Sequence, residues 1–142
     1  MSKQFHGVTS LGLVAVATII AAVALFKASW LLGAVYLVMA ALASSAIVYA
    51  FCAKCPSKAC CGHVFPGKVA MTIDRQPGPY TGIELAVLGL ALLGLIGLPQ
   101  LWLWRYAGLF VAYWALNAVA LVQIRTVVCR ACDNRYCPAR PQ

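Results

Sequence analysis

Sulfur is the chemistry this chain has most of. Cys52, Cys55 and Cys60 are spaced C-x2-C-x4-C, and Cys129, Cys132 and Cys137 repeat that spacing 77 residues later. Cys61 and His63 adjoin the first triplet, so seven cysteines and one histidine could act as ligands. Two residues between cysteines allow a tight turn that puts both sulfurs on one ion. A third cysteine, after four more residues, can fold back onto it. Eight ligands equal two four-coordinate sites. An exposed thiolate is reactive, so a repeated cysteine pattern argues that the sulfur is used, and metal ligation is the leading expectation.

Three ligand arrangements fit the spacing. Cys52, Cys55, Cys129 and Cys132 could make one zinc-ribbon-like site that clamps two chain segments together. Alternatively each triplet holds its own ion, with His63 or Cys61 completing the first. In the third arrangement the thiolates hold an iron–sulfur cluster. Cys55-Pro56 and Cys137-Pro138 share the Cys-Pro pair that ends ferredoxin cluster motifs, but the rest of that spacing is absent. Zinc is therefore placed slightly ahead of iron–sulfur. Two further classes compete. Lys54 and Arg130, inside the C-x2-C pairs, would favour thiolates suited to disulfide exchange or membrane electron transfer. The vicinal pair Cys60-Cys61 could pass a soft metal in transport or detoxification. Reduced or acylated thiols are the bland reading, though acylation needs no repeated spacing. No C-x-x-C-H occurs for a c-type haem.

The elements that must position these cysteines are read from hydropathy. The chain is 63% hydrophobic and only 10% charged, against about 25% charged in a soluble domain. So few charges cannot cover a globular surface, which makes the lipid bilayer the expected solvent. Four apolar stretches, 8–26, 29–51, 83–104 and 106–128, meet the requirement of about 20 residues per spanning helix. The expected fold is an all-α integral membrane protein: four transmembrane helices, a Cys-rich cytoplasmic loop and a Cys-rich C-terminal tail. They are expected to form a single domain over 1–142. The first stretch is read as a retained helix, being longer than the core of a secretory signal. The layout also reads as two tandem helical hairpins, 8–61 and 83–137, which would be a parallel repeat about an axis along the membrane normal.

Four spans put both termini and all the cysteines on one side. That side also carries Lys3, Lys54, Lys58, Lys68, Arg75, Arg125, Arg130, Arg135 and Arg140, against Lys27 and Arg105 on the other. The bias assigns the cysteine side to the cytoplasm, with Trp30, Trp102 and Trp104 toward the far interface. Clustered cysteines in that reducing compartment are metal ligands or redox thiols more often than disulfides. The net charge of +8 suits anionic lipid headgroups. Expected partners are the lipid bilayer and a membrane protein or second copy; no nucleic acid is expected.

Small residues at Gly82, Gly89, Gly94 and Gly97, and at Ala40, Ala41, Ala43, Ser44 and Ser45, suit close helix contact. Pro99 is expected to break or kink the third span. Pro66-Gly67 and Pro77-Gly78-Pro79 predict turns across 62–80. Glu84 and Arg125 lie near the same membrane face and are read as snorkelling, with a mutual pair as the alternative. Asn117, mid-span, is read as an interhelical hydrogen bond. Without a carboxylate pair, a phosphate-binding glycine loop or a hydrolase triad, a binding or structural role is preferred to an enzymatic one.

Overall fold

Helix formation here follows from uninterrupted apolar sequence. The computed structural model describes residues 3–56 and 63–130, together with Cys132, Asn134, Tyr136 and Cys137. Among them all regular structure is helical: α1 Lys3–Ala28, α2 Trp30–Ile47, α3 Val64–Met71, α4 Gly82–Leu92, α5 Gln100–Leu103 and α6 Ala107–Gln123. α2 and α6 run on into π-helical turns at Val48–Cys52 and Ile124–Val128, and a third π turn, Leu93–Gly97, joins α4 towards α5. Four continuous helical stretches result, Gln4–Ala28, Trp30–Cys52, Gly82–Leu103 and Ala107–Val128, each long and apolar enough to cross a membrane. α1 begins five residues ahead of the apolar run and carries Gly7 within its first two turns.

α1 is the central strut and packs against both α6 and α2, while α2 packs against α4. Its inward face carries Gly7, Ser10, Ala17, Ala21 and Ala24 at three-, four- and seven-residue steps, all buried. Small side chains on that stripe let neighbouring backbones come close. The sequence had pointed instead to the second and third spans. There Gly82 and Gly89 face open space, while Gly94 lies beside the Met39 sulfur. Outward faces are apolar, with Leu31, Val35, Val38 and Leu42 of α2 and Val111 and Val122 of α6 exposed. An apolar surface of that extent marks contact with lipid or another protein.

Pro99 does not end the third helical stretch, which continues to Leu103. A proline offers no N–H to the carbonyl four residues back, here Leu95, and its ring crowds that carbonyl. The π turn Leu93–Gly97 lies immediately before it and absorbs the misfit. The Leu95 carbonyl accepts the hydroxyls of Tyr36 in α2, at 3.0 Å, and Tyr113 in α6, at 3.4 Å. These two tyrosines are separated by the same 77 residues as the cysteine triplets. Tyr36→Phe or Tyr113→Phe alone is expected to cost about 0.6 kcal/mol, the average for such a bond between membrane helices. Together they should cost more than the sum, because the carbonyl is then left without either side-chain donor. A double-mutant cycle of unfolding in detergent checks this, and strict additivity would count against it.

Two further readings change. The segment 62–80 contains a helix, α3, with Pro66 in its first turn, where the missing N–H has no intrahelical acceptor in any case. Asn117 donates to the Tyr113 carbonyl one turn back at 2.9 Å, within its own helix rather than between helices.

Candidate cysteine-rich site at one end of the bundle

The first C-x2-C grows out of a helix end. The Ala53 N–H reaches back five residues to the Val48 carbonyl at 2.8 Å, closing the π turn, and the Cys55 N–H then bonds the Cys52 carbonyl at 3.1 Å. At the second C-x2-C the same pattern recurs. The Cys129 N–H bonds Ile124 O at 2.7 Å, and the Cys132 N–H bonds Cys129 O at 3.2 Å. Each pair is thus folded into a tight turn with the second amide on the first carbonyl. Cys52, Cys55, Cys129, Cys132 and Cys137 are all half-buried. Cys60 and Cys61 lie outside the described residues.

Loop and tail meet through Asn134, which stands between Cys132 and Cys137. Its side chain is buried, at 1% exposure. Its amide donates to the Cys55 Sγ at 3.3 Å and to the Tyr80 hydroxyl at 3.1 Å, while its Oδ1 accepts the Tyr136 N–H at 2.9 Å. Tyr80 donates in turn to the Phe51 carbonyl at 3.3 Å and stacks on the Phe51 ring with centroids 4.5 Å apart. Burial pushes the Tyr80 phenol above its usual range. The Asn134 hydrogen bond opposes that shift, and the thiol groups of Cys55, Cys137 and Cys52 add to it. One phenolic oxygen therefore stands within electrostatic reach of cysteines from both triplets.

A second polar knot fixes the loop to the start of α4. Thr81 caps that helix and Glu84 completes a capping box, its Oε2 taking the Thr81 N–H at 2.7 Å. The same carboxylate binds Lys54 Nζ at 2.9 Å and the Arg75 guanidinium. Arg75 also donates to the Tyr49 carbonyl at 2.9 Å and lies over the Tyr49 ring. Glu84 is buried, at 7% exposure, so it does not snorkel; nor is Arg125 its partner, since Arg125 is exposed. Lys54, inside the first C-x2-C, has its charge committed to Glu84 rather than to the sulfurs.

His63 faces a different way. It stands at the N-cap position of α3 with its side chain turned elsewhere: its Nε2 lies 3.5 Å from the Ser10 hydroxyl of α1. Burial lowers its pKa, favouring the neutral ring. Ser10 already donates to the Gly7 carbonyl at 3.0 Å, so the arrangement that satisfies both groups has Nε2 donating and the lone pair on Nδ1. Among the described residues no three His, Cys, Asp or Glu side chains form a group able to hold a metal ion.

Sequence reading missed Asn134, Tyr80 and the partners of Glu84. Thr81-x-x-Glu84 ahead of an apolar run was a legible cap signature. The bond of Asn134 to a sulfur 79 residues away had no sequence signal. Comparison with protein-family models, curated proteins and solved structures finds no match for this chain.

Proposed function

We propose that this chain is an integral membrane protein carrying a soft-metal thiolate site on its cytoplasmic face, zinc ahead of iron–sulfur. Its role there is binding or structural: the metal staples the 52–81 loop to the C-terminal tail. The observation that carries this reading is Asn134, which ties the tail to Cys55 and to Tyr80 of the loop. Two C-x2-C turns of the same build at one end of the bundle support it, because that turn is how short sequence presents paired sulfurs to an ion. In this reading the ion itself draws the ligand set together, as metal does in small metal-stapled domains. Cys60 and Cys61 supply the ligation that the described cysteines leave incomplete.

Membrane location is supported by the apolar outer faces of the helices, and cytoplasmic placement of the cysteines and both termini rests on the charge bias. The redox alternative uses the same turns, since a C-x2-C held this way is also competent for thiol exchange.

Elemental analysis and an absorption spectrum of anaerobically purified protein separate these readings. Zinc without colour is the expected result. Iron with sulfide and a visible chromophore would replace the structural role with electron transfer, and absence of metal would leave thiol exchange. Labelling of intact cells with a membrane-impermeant maleimide should leave every cysteine unmodified until the membrane is opened. Prior modification would reverse the orientation.

A further inference from the structure

We infer that Asn134 is the positioning residue that makes the two triplets serve one shared site, with Cys55 and Cys137 as its cross-triplet pair. The inference rests on the thiolate-site reading above and names which sulfurs cooperate. Three features of Asn134 carry it.

First, its amide nitrogen is shared between two loop groups, the Cys55 sulfur and the Tyr80 hydroxyl, while its oxygen is held by the tail's own Tyr136 amide. The side chain is therefore oriented from the tail and spends its donors on the loop. Second, the Cys137 N–H returns to the Asn134 carbonyl at 3.4 Å. Fixing Asn134 on Cys55 thus also fixes the backbone that carries Cys137, and both thiols act on the Tyr80 oxygen. Third, the sequence is asymmetric at this point: the position that matches Asn134 in the first triplet is Ser57, which carries no carboxamide. A carboxamide in one triplet alone suits a bond reaching from the tail to the loop.

The test uses full-length, metal-free protein in detergent and a fluorogenic bifunctional alkylator that links only thiols a few ångströms apart, read by peptide mass spectrometry. Wild-type protein should give a Cys55–Cys137 cross-link beside the local Cys52–Cys55 one. Asn134→Asp keeps the acceptor for the Tyr136 amide but loses both donors, and Asn134→Ala loses everything. Both should lower the loop–tail cross-link about tenfold, as expected for two lost side-chain hydrogen bonds, and spare the Cys52–Cys55 link. Equal loss of both links would mean a general folding defect and overturn the positioning role. So would an undiminished loop–tail link in either variant, or its absence from wild-type protein. Because the cross-link needs no metal, a metal-free result in the elemental analysis would sink the metal reading while leaving this inference standing or falling by itself.

Discussion

Glu84→Gln is expected to give the largest loss of thermal stability of any single polar substitution in this chain, together with a loss of bound metal. The reasoning separates two jobs of one carboxylate. As the third residue of the capping box, a glutamine still accepts the Thr81 N–H, so the helix start survives. What disappears is the negative charge between Lys54 and Arg75. Their side chains are only 16% and 27% exposed, so water cannot fully take over from the lost partner, and a stranded charge in such a place is costly. Exposed surface pairs behave differently and contribute little; the burial of Glu84 decides between the two cases. Lys54 lies inside the first C-x2-C, so releasing it loosens the turn that aims Cys52 and Cys55. Thermal melts in detergent at low and high salt check the expectation. The loss should persist at high salt, because enclosed pairs are poorly screened. Adding Lys54→Met to Glu84→Gln should recover part of the stability. Unchanged melting of Glu84→Gln would sink the clamp.

Cys52→Ser and Cys129→Ser are each expected to remove metal and stability together, and removal of the ion by a chelator should do the same to wild-type protein. Metal binding to a site that the ion itself assembles is folding free energy, on the order of 10 kcal/mol in the smallest zinc domains. Here the four long helices bury their own contacts, so the effect should be confined to one end. The expected outcome is local opening of loop and tail, with the helices intact. Trypsin should then cut after Lys68 and Arg130, both exposed next to the site, at a rate that rises as metal leaves, while circular dichroism stays nearly constant. Protease resistance that does not change with metal content would show that the loop and tail are held by protein contacts alone.

The parts of this structure that were legible in sequence are those governed by local composition. Four helical stretches follow from apolar runs bounded by polar or turn residues, and their ends fell within a few residues of expectation. The two C-x2-C turns were legible from spacing, and their common location at one bundle end follows from counting helices. What could not be read depended on three-dimensional meeting points. Glu84 reads as a snorkelling carboxylate, with Arg125 as the alternative partner, because both lie near the same helix ends, yet its partners come from a turn and a loop whose paths no periodicity describes. Pro99 reads as a break or a kink because the sequence does not show that a π turn and two tyrosine hydroxyls accommodate the Leu95 carbonyl. Pro66 was read as a turn because proline in a helix's first turn looks the same as proline in a loop until the helix around it is known.

The π turns ahead of the cysteines set an angle. An α-helix advances about 100° per residue, so one extra residue in a turn rotates everything beyond it by roughly that amount. Val48–Cys52 and Ile124–Val128 stand between the long helices and the two C-x2-C turns. The azimuth at which each sulfur pair leaves the bundle is therefore set separately from the stripe that each helix buries. A single-residue insertion acts as an index mark: the exposed apolar pattern of a helix can stay fixed while the direction of the sulfur pair beyond it is reset.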